Sequence, residues 1–158
     1  MESGRHTIGI SLVEILVALA VVAILAAIVV GVGSGLERQS KRKAVMATFA
    51  VLESALQEYY DFYGAYPEAS DGEPGANCEK LYAELYSLPG SREVLERVEK
   101  RFIANRFDPG AVPEVQEIYD PWGTVLDYRY SPGDSFPRLI SAGPDKDIKT
   151  AGDNITNR

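Results

Sequence analysis

The stretch Ile10 to Gly33, ISLVEILVALAVVAILAAIVVGVG, carries one charged residue, Glu14, in a run that is otherwise apolar or small. As a helix of roughly 24 residues it is long enough to cross a hydrocarbon core of about 30 Å. The lead-in MESGRHTIG is short and polar, and no A-x-A type site follows the apolar run, so a cleaved secretory signal fits poorly and the run is expected to stay in the product. A carboxylate inside an apolar span costs a few kcal/mol, so Glu14 needs an explanation. Bilayer physics alone leaves two open: a shallow, headgroup-level or neutralised acid, or an acid matched by a cationic partner.

Downstream, Arg38, Lys41, Arg42 and Lys43 form a basic cluster while only Arg5 precedes the span. The positive-inside rule by itself would put the C-terminal part in the cytoplasm. Val45, Phe49, Leu52, Leu56, Tyr59 and Tyr63 then recur at three- and four-residue steps with Glu53, Gln57 and Asp61 between them, the pattern of an amphipathic helix. Helix from Ile10 to Tyr63 would be roughly 80 Å long; a membrane anchor joined to a separate domain helix is the alternative. Gly31, Gly33 and Gly35 should weaken it locally, at about 1 kcal/mol each relative to alanine. Gly64 and Pro67 supply the stop. Tyr59, Tyr60, Tyr63 and Tyr66 read as core with polar tips reaching water.

Residues 68 to 78 read as loop, and two short helices are predicted at 79 to 87 and 91 to 106, the second with Val94, Leu95, Val98, Phe102 and Ile103 on one stripe. After the DPW turn the runs TVLDYRY and FPRLISA, separated by SPGDS, predict a hairpin in a small antiparallel sheet. That sheet would cover the apolar face of the second half of the long helix, giving an α+β fold. The size, 158 residues with 46% hydrophobic and 25% charged content, fits one compact domain plus an anchor. A net charge of −7 disfavours attraction to nucleic acid or anionic headgroups. Cys78 is the only cysteine, which excludes an intrachain disulfide and the paired thiolates of common zinc sites; it reads as a small loop or core residue, and Trp122 as packing at a turn. Asp145, Asp147, Asp153 and Asn154 lie in a glycine-bearing loop after a predicted strand. Hard oxygen donors of this kind suit Ca²⁺, and a solvated acidic tail is the plainer reading.

Gly9 followed by Ile10, Ser11, Leu12, Val13 and Glu14 resembles the prepilin motif, in which a dedicated peptidase cuts after the glycine and N-methylates the new first residue. The run ALQEYYDFYGAYP (Ala55 to Pro67), the segment DPWGTVLDYRYSPG (Asp120 to Gly133) and the tail SAGPDKDIKTAGDNITN (Ser141 to Asn157) are similar to the major pseudopilin of type II secretion. The stretch from about 68 to 118 matches least. Gly31 stands where such proteins often carry proline, and Asn154 where aspartate is common, which should weaken cation binding.

The resemblance implies a pilin-like α+β fold, with a leader over 1–9, a transmembrane and filament-core helix over 10–35 and a periplasmic domain over 36–158. It implies processing at Gly9 and Ile10, which would remove His6, the sole histidine. The new amine of Ile10 would be neutralised by Glu14 of a neighbouring subunit as helices stack, or by Glu14 of its own chain one turn away. It further implies Ca²⁺ held by Asp145, Asp153 and Asn154 with the carbonyl of Ala142, and Asp147 and Ser141 as further candidate positions. The partners would be copies of the chain in a helical filament, minor pseudopilins, the prepilin peptidase, an inner-membrane assembly platform and membrane lipid before assembly. The implied role is a structural, non-enzymatic subunit of a periplasmic pseudopilus that exports folded proteins. A type IV pilin of a surface fibre for adhesion or motility is the alternative, although many of those close a loop with a disulfide that one cysteine cannot form. A membrane-tethered carboxylate hydrolase would need two acids close together in a cleft.

Overall fold

The computed structural model describes residues 11–69, 72–107, 109–110 and 116–158, with the backbone alone over 29–34. It divides into two compact units, Met1–Arg38 and Gln39–Arg158. Helix α1 covers Leu12–Tyr63, 52 residues. The helix assignment continues across Gly31, Gly33 and Gly35 without interruption. At its C-terminal end Gly64 takes φ 72° and its N–H donates to the Tyr60 carbonyl at 2.7 Å. That left-handed cap is where a residue without a Cβ ends a helix at little cost.

From Leu12 to Ile28, Glu14 apart, the side chains are apolar and exposed, among the large ones from Leu12 at 80% to Val21 at 49%. Among the described residues no helix is long and apolar enough to cross a membrane; Ile10 and the side chains of 29–34 lie outside that statement.

In the second unit the predicted stripe does the packing. Val45, Phe49, Leu52, Leu56 and Tyr59 are buried, whereas Tyr63, the last of the series, is 54% exposed. These side chains join one hydrophobic cluster with Leu81, Leu85, Leu95, Ile118, Leu126, Tyr128, Leu139 and Ile155. Each fully buried Leu or Phe contributes about 1.5–3 kcal/mol by leaving water. Polar ties fix the register of helix against sheet: Asn157 Nδ2 donates to Glu53 Oε1 at 2.9 Å, and the Tyr128 hydroxyl to the Pro67 carbonyl at 2.6 Å.

The middle of the chain departs from expectation. Helix α2 covers Pro74–Ser87, so the residues read as loop up to Cys78 are in part helical. Pro74 sits in the first turn, where its missing N–H is no loss and its fixed φ suits the helix. The single helix expected over 91–106 is instead α3, Pro89–Leu95, followed by turns, a 3₁₀ turn at Lys100–Phe102 and strand β1, Ile103–Ala104. The apolar stripe is still satisfied: Leu95, Val98 and Phe102 are buried. Ending the helix frees Ile103 and Ala104 to pair antiparallel with β2, Glu117–Ile118, which a continuous helix would forbid. Strand β3, Asp127–Arg129, and β4, Arg138–Ser141, form the expected hairpin, and β5, Ile155–Thr156, adds on the other side of β4. The α+β class with small antiparallel sheets therefore holds. The third strand was hidden in a tail read as loop.

Tyrosines 59 to 66 divide between core and surface. Tyr59 and Tyr66 are buried, Tyr60 and Tyr63 exposed. The Tyr59 hydroxyl donates to Glu84 Oε2 at 2.9 Å, and burial, then that carboxylate, raises its pKa.

Candidate functional site

Glu14 lies in the first turn of α1, with its N–H and that of Ile15 donating to the Ser11 carbonyl at 3.0 and 3.2 Å. Ser11 and Glu14 have the S-x-x-E spacing of a capping box, a local signal the apolar reading of this stretch passed over. A carboxylate there is favoured by the partial positive charge of the helix N-terminus. Its side chain is exposed and has no ion pair among the described residues. Gly9 and Ile10, the expected cleavage position, lie outside the described residues.

The C-terminal loop brings some of the expected oxygen donors together. Asp153 Oδ2 accepts from the Asp145 N–H at 3.1 Å, which draws the two ends of the loop to one place. Gly143, at φ 74°, packs its Cα against the Asp153 carbonyl so closely that any Cβ would collide with backbone. Lys146 turns the chain with φ 63°. Asp145 Oδ1 accepts from the Asp147 N–H and Asp147 Oδ1 from the Lys149 N–H, both at 2.9 Å, two successive side-chain turns. Asn154 is held by its amide, Nδ2 donating to the Ile148 carbonyl at 2.9 Å. That leaves Asp153 Oδ1 and Asn154 Oδ1 buried without a hydrogen-bond partner. Such acceptors cost about 1–3 kcal/mol each unless something satisfies them.

The other expected positions stand differently. Ala142 is fully buried, beside Gly143. The Ser141 hydroxyl donates to Asp120 Oδ2 at 2.7 Å and accepts from the Gly143 N–H at 3.2 Å, so its side chain belongs to the neighbouring turn and not to the acidic loop. Asp147 Oδ1 is engaged by its own turn. Among the described residues no group of three or more His, Cys, Asp or Glu is gathered as a metal cluster. The loop brings Asp145 and Asp153 together, and its buried acceptors without a partner are Asp153 Oδ1 and Asn154 Oδ1.

Three further acids are buried, and each is committed to structural donors. Asp120 accepts from the Trp122 and Thr124 N–H groups, both at 2.9 Å, and from Ser141, closing the DPWG turn. Glu117 is fully buried and accepts from the Arg106 N–H at 2.8 Å and from the Tyr119 hydroxyl at 2.9 Å. Asp127 accepts from Arg129 Nε at 2.6 Å and from Asn77 Nδ2 at 3.4 Å. The Asp120 turn was readable in D-P-W-G-T, an acid before proline and glycine. Glu117 had no such signal. Cys78 is buried, and desolvation pushes its thiol up to about 12 against a favourable contact with the Ile118 backbone.

Compared with protein-family models, curated proteins and solved structures, the chain matches none of them.

Proposed function

We propose that this chain is a filament subunit of the pilin-like kind, held in a bacterial inner membrane by the N-terminal part of α1 until it assembles, and that its filament is a pseudopilus of type II secretion. The observation that carries the reading is a helix whose residues from Leu12 to Ile28 are apolar on all sides and exposed, with one acid in its first turn. A helix of that kind is stable only in lipid or among other apolar helices. Continuing without a break into the packed domain, α1 offers both in turn: the bilayer first, and neighbouring copies afterwards.

The role of Glu14 follows from charge matching. Cleavage after Gly9 would create a cationic amine on Ile10, and a neighbour's Glu14 would neutralise it in an apolar setting where either charge alone is costly. A hydrogen-bonded pair of this type sets the axial register between copies as well as driving their association. The pilin-like arrangement, the periplasmic location of Gln39–Arg158 and the partnership with an inner-membrane assembly platform belong to the same proposal.

Calcium completes it. The side chains of Asp145, Asp153 and Asn154, with the Ala142 carbonyl, would hold the ion, which would supply the positive charge that the two unpartnered oxygens lack. Imaging by negative stain of cells overproducing the protein tests the assembly reading. Wild type should give filaments and Glu14→Ala should give none at equal protein level; filaments of equal number from both would overturn it.

A further inference from the structure

The three-stranded sheet carries a cluster of arginines whose placement its own stability does not explain. Arg129 and Arg138 are directly opposed in the β3–β4 ladder. The β4–β5 ladder ends with Ile140 opposite Thr156; beyond it the Asn157 N–H donates to the Leu139 carbonyl at 3.3 Å while the Leu139 N–H donates to Asn157 Oδ1 at 3.0 Å, and Arg158 follows just past the strand. Arg158 joins this opposed pair at the same cavity, although the chain as a whole is acidic by 7 charges. Like charges directly opposite one another destabilise a sheet. All three line one cavity of about 400 Å³, together with Ser131, Ser135 and Phe136.

Among the described residues one of the three has an acidic partner. Arg129 pairs through Nε with Asp127 at 2.6 Å, which fixes its stem and leaves the outer nitrogens directed elsewhere. Arg158 lies with its guanidinium 4.4 Å from the centre of the Phe136 ring. Arg138 has no hydrogen bond or ion pair among the described residues. One carboxylate lines the cavity, Asp134, and its Oδ2 accepts from the Ser131 N–H at 3.0 Å, which holds the turn between the strands. With Arg129 matched by Asp127, Arg138 and Arg158 against the one lining acid leave one positive charge in excess among the described side chains.

We propose that this cavity binds a phosphate monoester. Planar guanidinium forks match a tetrahedral oxyanion by paired N–H···O bonds, and two adjacent forks surround such a group in a way that one lysine ammonium cannot. The serine hydroxyls add donors, and the Phe136 face, already covered on one side by Arg158, suits the carbon skeleton that carries the phosphate. The monoester is either free in solution or the headgroup of a lipid. The proposal does not depend on assembly or on calcium, and monomers in detergent suffice to test it.

The full chain in maltoside micelles with EDTA, at constant ionic strength, is titrated with inorganic phosphate and, separately, with micelles containing phosphatidate or phosphatidylcholine. Calorimetry and the NMR resonances of the arginine side-chain N–H groups are followed together. Saturable binding of phosphate is expected, weakened about tenfold by Arg138→Ala, less by Arg138→Lys, and tightened by Asp134→Asn. Saturation by phosphatidate with no response to inorganic phosphate would also support the proposal and assign the lipid as the source. Phosphate and phosphatidate giving no more response than chloride and phosphatidylcholine, or Arg138→Ala binding as wild type does, would overturn it. Arg138 is exposed, so its variants leave the core intact.

Discussion

Replacing Asn154 by aspartate should lower stability without calcium and enlarge the stabilisation that calcium gives. In the absence of metal the substitution removes the Nδ2 donor to Ile148, worth about 0.5–1.5 kcal/mol, and sets a second carboxylate beside Asp153. A loss of about 1–3 kcal/mol is expected in EDTA. With calcium the added charge becomes a ligand charge and tightens the site. Free calcium at one hundred times Kd stabilises the wild type by about 2.7 kcal/mol, and a tenfold tighter site adds about 1.4 kcal/mol. For a domain of this size one kcal/mol is roughly 3–5 °C, so the calcium-induced rise in Tm should be roughly 10 °C in wild type and roughly 15 °C in Asn154→Asp. Trp122, packed at the edge of the core beside the Asp120 turn, reports domain unfolding by fluorescence without interference from the first unit. The reasoning fails if wild type melts at one temperature in EDTA and in millimolar calcium, or if the increment shrinks in the variant.

Three other outcomes follow from the packing. Leu52→Ala, at a fully buried position of α1, should cost 2–5 kcal/mol in chemical denaturation; a cost below about 1 kcal/mol would mean that the helix face is not covered as described. Tyr128→Phe removes the 2.6 Å bond to the Pro67 carbonyl and leaves that acceptor buried, so a loss of about 1–3 kcal/mol is expected from the midpoint of the same titration. The Cys78 thiol is raised from 9.0 to about 12, so the folded state keeps a proton that the unfolded chain releases. Its contribution is complete below pH 9 and is lost as pH rises from 9 towards 12. Burial raises Tyr59, Tyr119 and Tyr128 too, which adds to the loss above pH 10. Tm should fall across that window, and at pH 8 the thiol should react with a maleimide only after denaturation; rapid labelling of the native chain would contradict this.

Regular periodicity made much of the fold readable. The stripe from Val45 to Tyr59 buries as its spacing predicts because a single helix presents one face, and no other element competes for those residues. Gly64 and the DPWG turn were equally legible, since each follows from backbone geometry that few residues can adopt. The stretch from 91 to 106 was not, because an apolar stripe at helical spacing is also buried by a short helix, a turn and a strand. What decides there is the pairing of Ile103 and Ala104 with Glu117 and Ile118, a contact between distant positions that local pattern does not contain. Strand β5 was hidden for the same reason: two residues, Ile155 and Thr156, are strand only because β4 offers an edge.

The candidate site divides along similar lines. Residue types pointed to Asp145, Asp147, Asp153 and Asn154, and the loop does draw Asp145 and Asp153 together. The Ser141 hydroxyl, at a further candidate position, donates to Asp120, twenty-one positions earlier in the chain. The arginine cluster is invisible until the β3–β4 register and the shared cavity are known, since Arg129, Arg138 and Arg158 have no common spacing in the sequence.

The most direct test of a filament subunit held in the membrane is the mass of the native polypeptide purified from its own membrane. A chain that begins at Ile10 and carries one added methyl group is expected, with Glu14 then at its fifth position. A chain that begins at Met1, uncut and unmethylated, would leave Glu14 without the amine that is proposed to match it.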